Sequence, residues 1–502
     1  MKQKILIFTL FIGLLYSCDN VLEKEPYTSI PDYEMFTDIE GAQQALNGIY
    51  NSVTSSDYYG RLIYAFEGSK GPDFYVEDTG NRFQEENGYR ETSTSDGYAN
   101  SAWEQIYKVI FLSNNMLENI ELIDAEVSEV NRFKGEALAI RSLAYFDLMR
   151  LFAYPPTYSI PGGDNYGDQY KWGVPLLLSQ EDHSNAAYNP PARAEASICY
   201  DQIVTDFTLA ISNLEGANVS DGTISAQAVR ALLARVHLYM GEWSNAVSVG
   251  NLALSGGSMI DFEDYTSNYY KPYNSENIWE LQYSLADNLG SNSLNHLTRN
   301  PTVDIPGDPN DGSIDDDGIG YAGYGGNIFL RAVLNEVATD VRQYLICDNE
   351  LGPETGIRKY IGDGGHSIHN ITVVRLPEVY LTLAEAYAEQ NLLSDAADNL
   401  NEVYEVRTGI EYTAPATKEL IIADILKERR KELVMEGHTF WDHFRRAIPF
   451  DREAEGNVSN DVAYIDYTQP QVVYPIPENE MESNPNIRNQ QNPGYSPYVP
   501  GE

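Results

Sequence analysis

The stretches ALLARVHLYMGEWSNAVSVGNLAL at 231–254 and LTLAEAYAEQNLLSDAADNLNEVYEVR at 381–407 carry the same internal spacing. Ala234, Gly241 and Ala246 in the first are matched by Ala384, Asn391 and Ala396 in the second, with the same two intervals of seven and five residues. Each stretch predicts a helix, a tight turn and a second helix. Small residues at the matched positions let paired helices approach, and glycine or asparagine at the turn accepts the positive φ that ends the first helix.

The regions around these pairs are helical in the same sense. RFKGEALAIRSLAYFDLMRLF at 132–152 sets Phe133, Ala137, Ile140, Ala144, Leu148 and Leu151 at spacings of three and four, which is one apolar stripe. Asn189-Pro190-Pro191 breaks the chain, and a further helix is predicted through Ile203, Phe207 and Leu214. LIIADILKERRKELVMEGHTFWDHFRRA at 420–447 reads as one final helix, with Leu426, Leu433, Phe440 and Phe444 turned inward and charges at helical pair spacings. Recurrence of the helix, turn, helix unit resembles a tetratricopeptide repeat. The fold class is therefore mainly α, a helix-pair scaffold with long loops and a few short strands or hairpins.

The N-terminus reads as an export signal. Lys2 and Lys4 precede an apolar run, Ile5 to Tyr16, too short to span a bilayer comfortably. Leu15-Tyr16-Ser17-Cys18 reads as a lipobox, so residues 1–17 are a lipoprotein signal peptide and Cys18 is the lipidation site. The alternative is a secreted protein cut near Ser17. No later stretch reaches eighteen consecutive apolar residues. Acidic residues number 75 and basic ones 33, a balance of −42, which excludes nucleic acid as a partner held by phosphate neutralisation. Cys199 and Cys347 remain, either as one disulfide or as two buried thiols.

Two segments resist helical assignment, at about 57–100 and 261–342. Long irregular loops in a compact protein usually serve function. Many of the 37 tyrosines lie there, including Tyr58, Tyr59, Tyr64, Tyr75, Tyr89 and Tyr98 in the first and Tyr269, Tyr270, Tyr273, Tyr321 and Tyr324 in the second. Trp103, Trp243 and Trp441 sit inside helical patterns and are expected in the core, as is Trp279 in a strand-like alternation. The acidic run at 304–318 is dense enough in carboxylates to suggest Ca²⁺, but it misses the EF-hand register, and a solvated acidic loop is the alternative reading. His438, Asp442 and His443 lack a third metal ligand at suitable spacing and read as capping or ion-pair residues. No nucleophile elbow, P-loop or dinucleotide fingerprint is present, so catalysis has no positive support.

Several separated motifs, in order along the chain, resemble the SusD/RagB family. They are PYTSIPDYEMFTDIEGAQQALNGIYNSV at 26–53, Trp103 to Tyr107 with Asn114 and Leu117 to Ile120, and Phe133 to Ala137 with Arg141 and Tyr145 to Asp147. Val374 to Val379 with Ala384 to Ala386, Glu428 to Leu433, Glu436 to His438 with Trp441-Asp442, and Tyr474 to Pro477 with Gln491 to Tyr495 complete the set. The resemblance implies one SusD-like domain over residues 18–502, lipid-anchored in the outer membrane and facing outward. It also implies a glycan ligand, no catalytic residues, no cofactor and no metal. The implied partner is a SusC-type TonB-dependent transporter, over which such a protein sits as a lid.

A sugar ring offers a C–H face and a rim of hydroxyls, so its site needs flat aromatic surfaces beside planar hydrogen-bonding groups. Asp73, Tyr75, Arg82, Tyr89 and Tyr98 supply that mixture in the first irregular segment; Tyr269, Tyr270, Tyr273, Asn292, Tyr321 and Tyr324 supply it in the second. The resemblance implies that the two segments meet. A peptide ligand, as in RagB-type members, is the second reading, and tyrosine-rich loops favour sugars over it. A lipid-anchored glycoside hydrolase is the third, and would need two carboxylates about 5 to 9 Å apart across a cleft.

Overall fold

The structure is a computed structural model that describes residues 35–76, 82–94, 97–298, 320, 323–348, 355–360, 368–452 and 462–499. Cys18, Tyr321 and the acidic run 304–318 lie outside the described residues. The expected mainly helical class is what forms, and the strands among the described residues are short antiparallel pairs.

Helix Val127–Phe152 is the central element, buried from Gly135 to Phe152 apart from no residue of that run. It packs between helices Gly97–Asn119 and Ala196–Leu214. Close approach depends on Gly135, where a Cβ would lie 2.5 Å from Leu214 Cγ. The three helices are also pinned by one guanidinium. Arg141 donates to both Asp206 carboxylate oxygens at 2.7 and 2.8 Å, and to Asn114 Oδ1 at 2.7 Å.

Both repeats form as their spacing predicts. Ala226–Met240 with Trp243–Ala253, and Leu376–Glu389 with Leu393–Thr408, are helix pairs whose turns carry positive φ at Gly241 (71°) and Asn391 (62°). The second pair packs on the first through Gly250, where a Cβ would lie 2.9 Å from Leu383 Cδ2. The final helix differs from expectation: it is two, Lys418–Glu432 and Thr439–Arg445. The break falls where Met435 and Gly437 take positive φ, 56° and 76°, which no continuous α-helix tolerates. Helix Leu62–Lys70 is a further difference, since it is buried along its whole length and shows no amphipathic period to read. No described helix is long and apolar enough to cross a membrane.

Buried ion pairs join the irregular segments to this frame. Glu432, fully buried, accepts from Arg342, Arg375 and Arg407, which arrive from a loop, a strand end and a repeat helix. Burial alone would raise its pKa, but Arg407, Arg375 and Arg342 together hold it well below the usual carboxylate range. Glu385 is similar: burial raises it, and Arg445 and Arg446 override that to bring it down to about 2. Cys199 is a buried free thiol, so it is not half of a disulfide, and burial pushes it up to about 11.

A depressed carboxylate pKa stabilises the fold above the unfolded value of about 4.3 and loses that contribution as pH falls through the folded value. Stability measured by denaturant titration is therefore expected to fall between about pH 4.3 and 2 by an amount that Glu385→Gln reduces. Glu432→Gln removes the carboxylate that Arg342, Arg375 and Arg407 share, while each keeps another one beside it, Asp340, Glu436 and Glu276 respectively, and is expected to cost about 1–3 kcal/mol at neutral pH; no measurable cost would show that the hub does not hold the loops.

Candidate functional site

The two irregular segments meet, first as backbone. Phe74–Val76 pairs antiparallel with Tyr324–Gly326, with Tyr75 opposite Gly325. Gly325 is the residue that fits there, because a Cβ would lie 2.0 Å from Tyr75 Cζ. The strand is anchored behind by Asp73, whose Oδ1 accepts from Arg430 Nε at 2.6 Å.

They meet a second time through side chains. Arg61, at the start of helix Leu62–Lys70, and Arg82 each donate from Nη1 to the same acceptor, Asn292 Oδ1, both at 3.1 Å. Asp57 Oδ1 stands 3.5 Å from Arg61 Nη2. The Arg61 guanidinium carbon lies 5.6 Å from the centroids of both Phe83 and Tyr98, within range of a cation–π contact. Those two rings stack at 4.0 Å and 6°. Phe83 is fully buried while Tyr98 is partly exposed, so the pair presents tyrosine outward over a phenylalanine base.

The backbone is strained to place this pair. Phe83 and Tyr89 take φ of 53° and 50° at the two ends of the short helix Gln84–Gly88. Aromatic side chains rarely adopt that region, and such outliers concentrate at functional sites. Burial raises the Tyr98 phenol and Arg61 opposes that rise; the hydroxyl stays protonated, able to donate and accept. Burial lowers Arg61; Tyr98 raises it and Arg82 lowers it further by repulsion.

Of the residues expected here, Tyr98, Arg82 and Asn292 are brought together, and Tyr75 lies across the strand pair that joins their segments. Asp73, Tyr89 and Tyr324 are not ligand-facing: their relative exposures are 1%, 4% and 1%. Each is occupied inside the protein. Asp73 pairs with Arg430, Tyr89 donates to the Lys70 carbonyl at 2.6 Å, and the Tyr324 hydroxyl donates to the Ala65 carbonyl at 2.9 Å. Tyr58, Tyr59 and Tyr64 are likewise core residues, Tyr58 donating to Asp147 at 2.6 Å. Tyr269, Tyr270 and Tyr273 form a different group. Tyr269 stacks on Tyr265 at 5.4 Å, meets Tyr270 edge-on and donates to the Arg358 carbonyl at 2.6 Å. Tyr273 is exposed, with φ of 52°. Among the described residues no ring stack or hydrogen bond joins this group to Tyr98.

Arg61, Asp57 and Phe83 are the platform residues that the sequence reading did not choose. Arg61 stands at the boundary between a tyrosine-rich run and the apolar Leu62 to Phe66, which is the one available sign. His438 is buried with Nε2 3.7 Å from Glu378, and Asp442 is taken up by Arg429 and Arg445.

A family model described as starch-binding and associating with the outer membrane matches residues 21–238, and a SusD family model matches residues 355–495. The chain belongs to the SusD/RagB family. A SusD-like protein of Formosa agariphila is 23% identical over 96% of this chain and 97% of its own. A SusD superfamily structure from Bacteroides thetaiotaomicron is 28% identical with a TM-score of 0.78, over 91% of this chain and all of that one. A laminarin-binding SusD-like protein superposes with a TM-score of 0.70 at 22% identity, over 91% of this chain and all of that one. The SusD-like fold thus extends over nearly the whole of this chain.

Gly325→Val would force the Tyr75 ring off the strand pair. Overpacking of this kind is expected to cost about 1–3 kcal/mol, read as a lower melting temperature; an unchanged melt would show that the strand contact does not fix the two segments.

Proposed function

We propose that the chain is a non-catalytic, cell-surface lipoprotein, anchored through Cys18, that binds glycans and passes them to a SusC-type TonB-dependent transporter. The observation that carries this reading is the Tyr98 ring, stacked on Phe83 and flanked by Arg61, Arg82 and Asn292, at the point where the two irregular segments meet. A pyranose face stacks on the phenol ring, and the guanidinium and amide groups around it bond the hydroxyl rim.

Family membership supports the outer-membrane setting, and the laminarin-binding relative supports a glycan as ligand. The described carboxylates near the platform, Asp57 and Glu86, already have partners within the protein, which supports the non-catalytic reading. Asp57 is held by Arg61, and the buried Glu86 accepts from the Tyr474 hydroxyl at 3.0 Å. Hydrolysis needs two carboxylates facing each other across the bound sugar, one of them able to carry a proton.

Laminarin is the first ligand to try. Tyr98→Ala and Arg82→Ala are each expected to weaken its binding about tenfold in calorimetry, on the order of 1.4 kcal/mol, with the melting temperature little changed. Binding identical to wild type in both would remove the platform. Cys18→Ala is expected to abolish surface labelling of intact cells; full labelling would remove the anchor.

A further inference from the structure

Trp243 was expected in the core, yet it is only half-buried. It is the first residue of helix Trp243–Ala253, and it packs over the repeat's turn, where a Cβ on Gly241 would lie 3.5 Å from Cζ2. Its indole lines a groove of about 630 Å³ between that turn and the loop 156–165. The groove is of the size that small-ligand sites occupy, and it shares no residue with the Tyr98 platform.

The polar groups on its wall are unusually idle. The Trp243 indole N–H, the Asp164 carboxylate, the Asn165 side-chain amide and the Thr157 hydroxyl make no hydrogen bond or ion pair with the described residues. Tyr239, 5% exposed, also lines the groove, but its hydroxyl is closed off in the interior and is not among the groups a ligand would meet. Across the groove the charges are already matched. Arg446 donates to Glu385 at 2.7 Å and Glu389 at 2.8 Å, and Arg445 donates to Glu385 at 2.6 Å. The wall therefore offers an indole face and several donors and acceptors, without a cluster of unmatched cations to select an anion.

We propose that this groove is a second binding site, for a neutral oligosaccharide, centred on Trp243. The ring takes a sugar C–H face, and Asp164, Asn165 and Thr157 bond its hydroxyls. The proposal rests on the groups of this groove and stands independently of the platform.

The test is an indole ¹⁵N–H spectrum of the full mature chain, titrated with gluco-, galacto-, manno- and xylo-hexasaccharides and with laminarin. The Trp243 resonance is identified by its loss in Trp243→Phe. It is expected to move saturably with at least one neutral sugar, and to do so equally in Tyr98→Ala. Asn165→Ala, remote from the helix frame, is expected to weaken that titration about fivefold. A Trp243 resonance that stays still with every neutral sugar, or moves only with peptides, would overturn the second site while leaving the Tyr98 platform untouched. Loss of the shift in Tyr98→Ala would overturn it too, by showing that the signal reports the platform.

Discussion

A charged carboxylate taken out of water needs compensation close by, and in this protein cations supply much of it, attaching irregular segments to the helices. Glu432 gathers Arg342, Arg375 and Arg407; Asp73 takes Arg430; Glu91 takes Lys70. Arg342, Asp73 and Glu91 come from irregular stretches, and their partners Glu432, Arg430 and Lys70 lie on helices. Hydrophobic burial alone would place such a stretch loosely, since apolar contact is non-directional. A buried charge pair has a definite geometry, and removing one partner leaves the other stranded.

The same constraint explains what the sequence disclosed. Helices with an apolar stripe or a repeated spacing, such as Val127–Phe152 and the two pairs turning at Gly241 and Asn391, were legible because periodicity is local information. Leu62–Lys70 was hidden because a segment buried on all sides has no period. The split after Glu432 was hidden because the 420–447 stretch keeps its inward spacing across Met435 and Gly437.

At the platform the limits were of another kind. Tyr98, Arg82 and Asn292 could be chosen by residue type, but residue type cannot separate an outward tyrosine from an inward one. Tyr89 and Tyr324 turn inward, their hydroxyls donating to the Lys70 and Ala65 carbonyls, and nothing in the sequence names those partners. Residue type does not mark Arg61, because its role comes from contact with Asn292, more than two hundred residues away. Trp243 shows the reverse error. A helical pattern suggested the core, but the first residue of a helix after a tight turn has neighbours on fewer sides.

The stack of Tyr98 on Phe83 has a consequence for kinetics as well as for contact. Phe83 sits in a left-handed backbone conformation with its ring against the Arg61 guanidinium, so Tyr98 stacks on a base whose own position is fixed. A sugar arriving there finds a preorganised plane and gives up its own freedom without also having to freeze the protein's. Variants that loosen the base while sparing Tyr98 would then show their effect mainly as faster departure of the ligand.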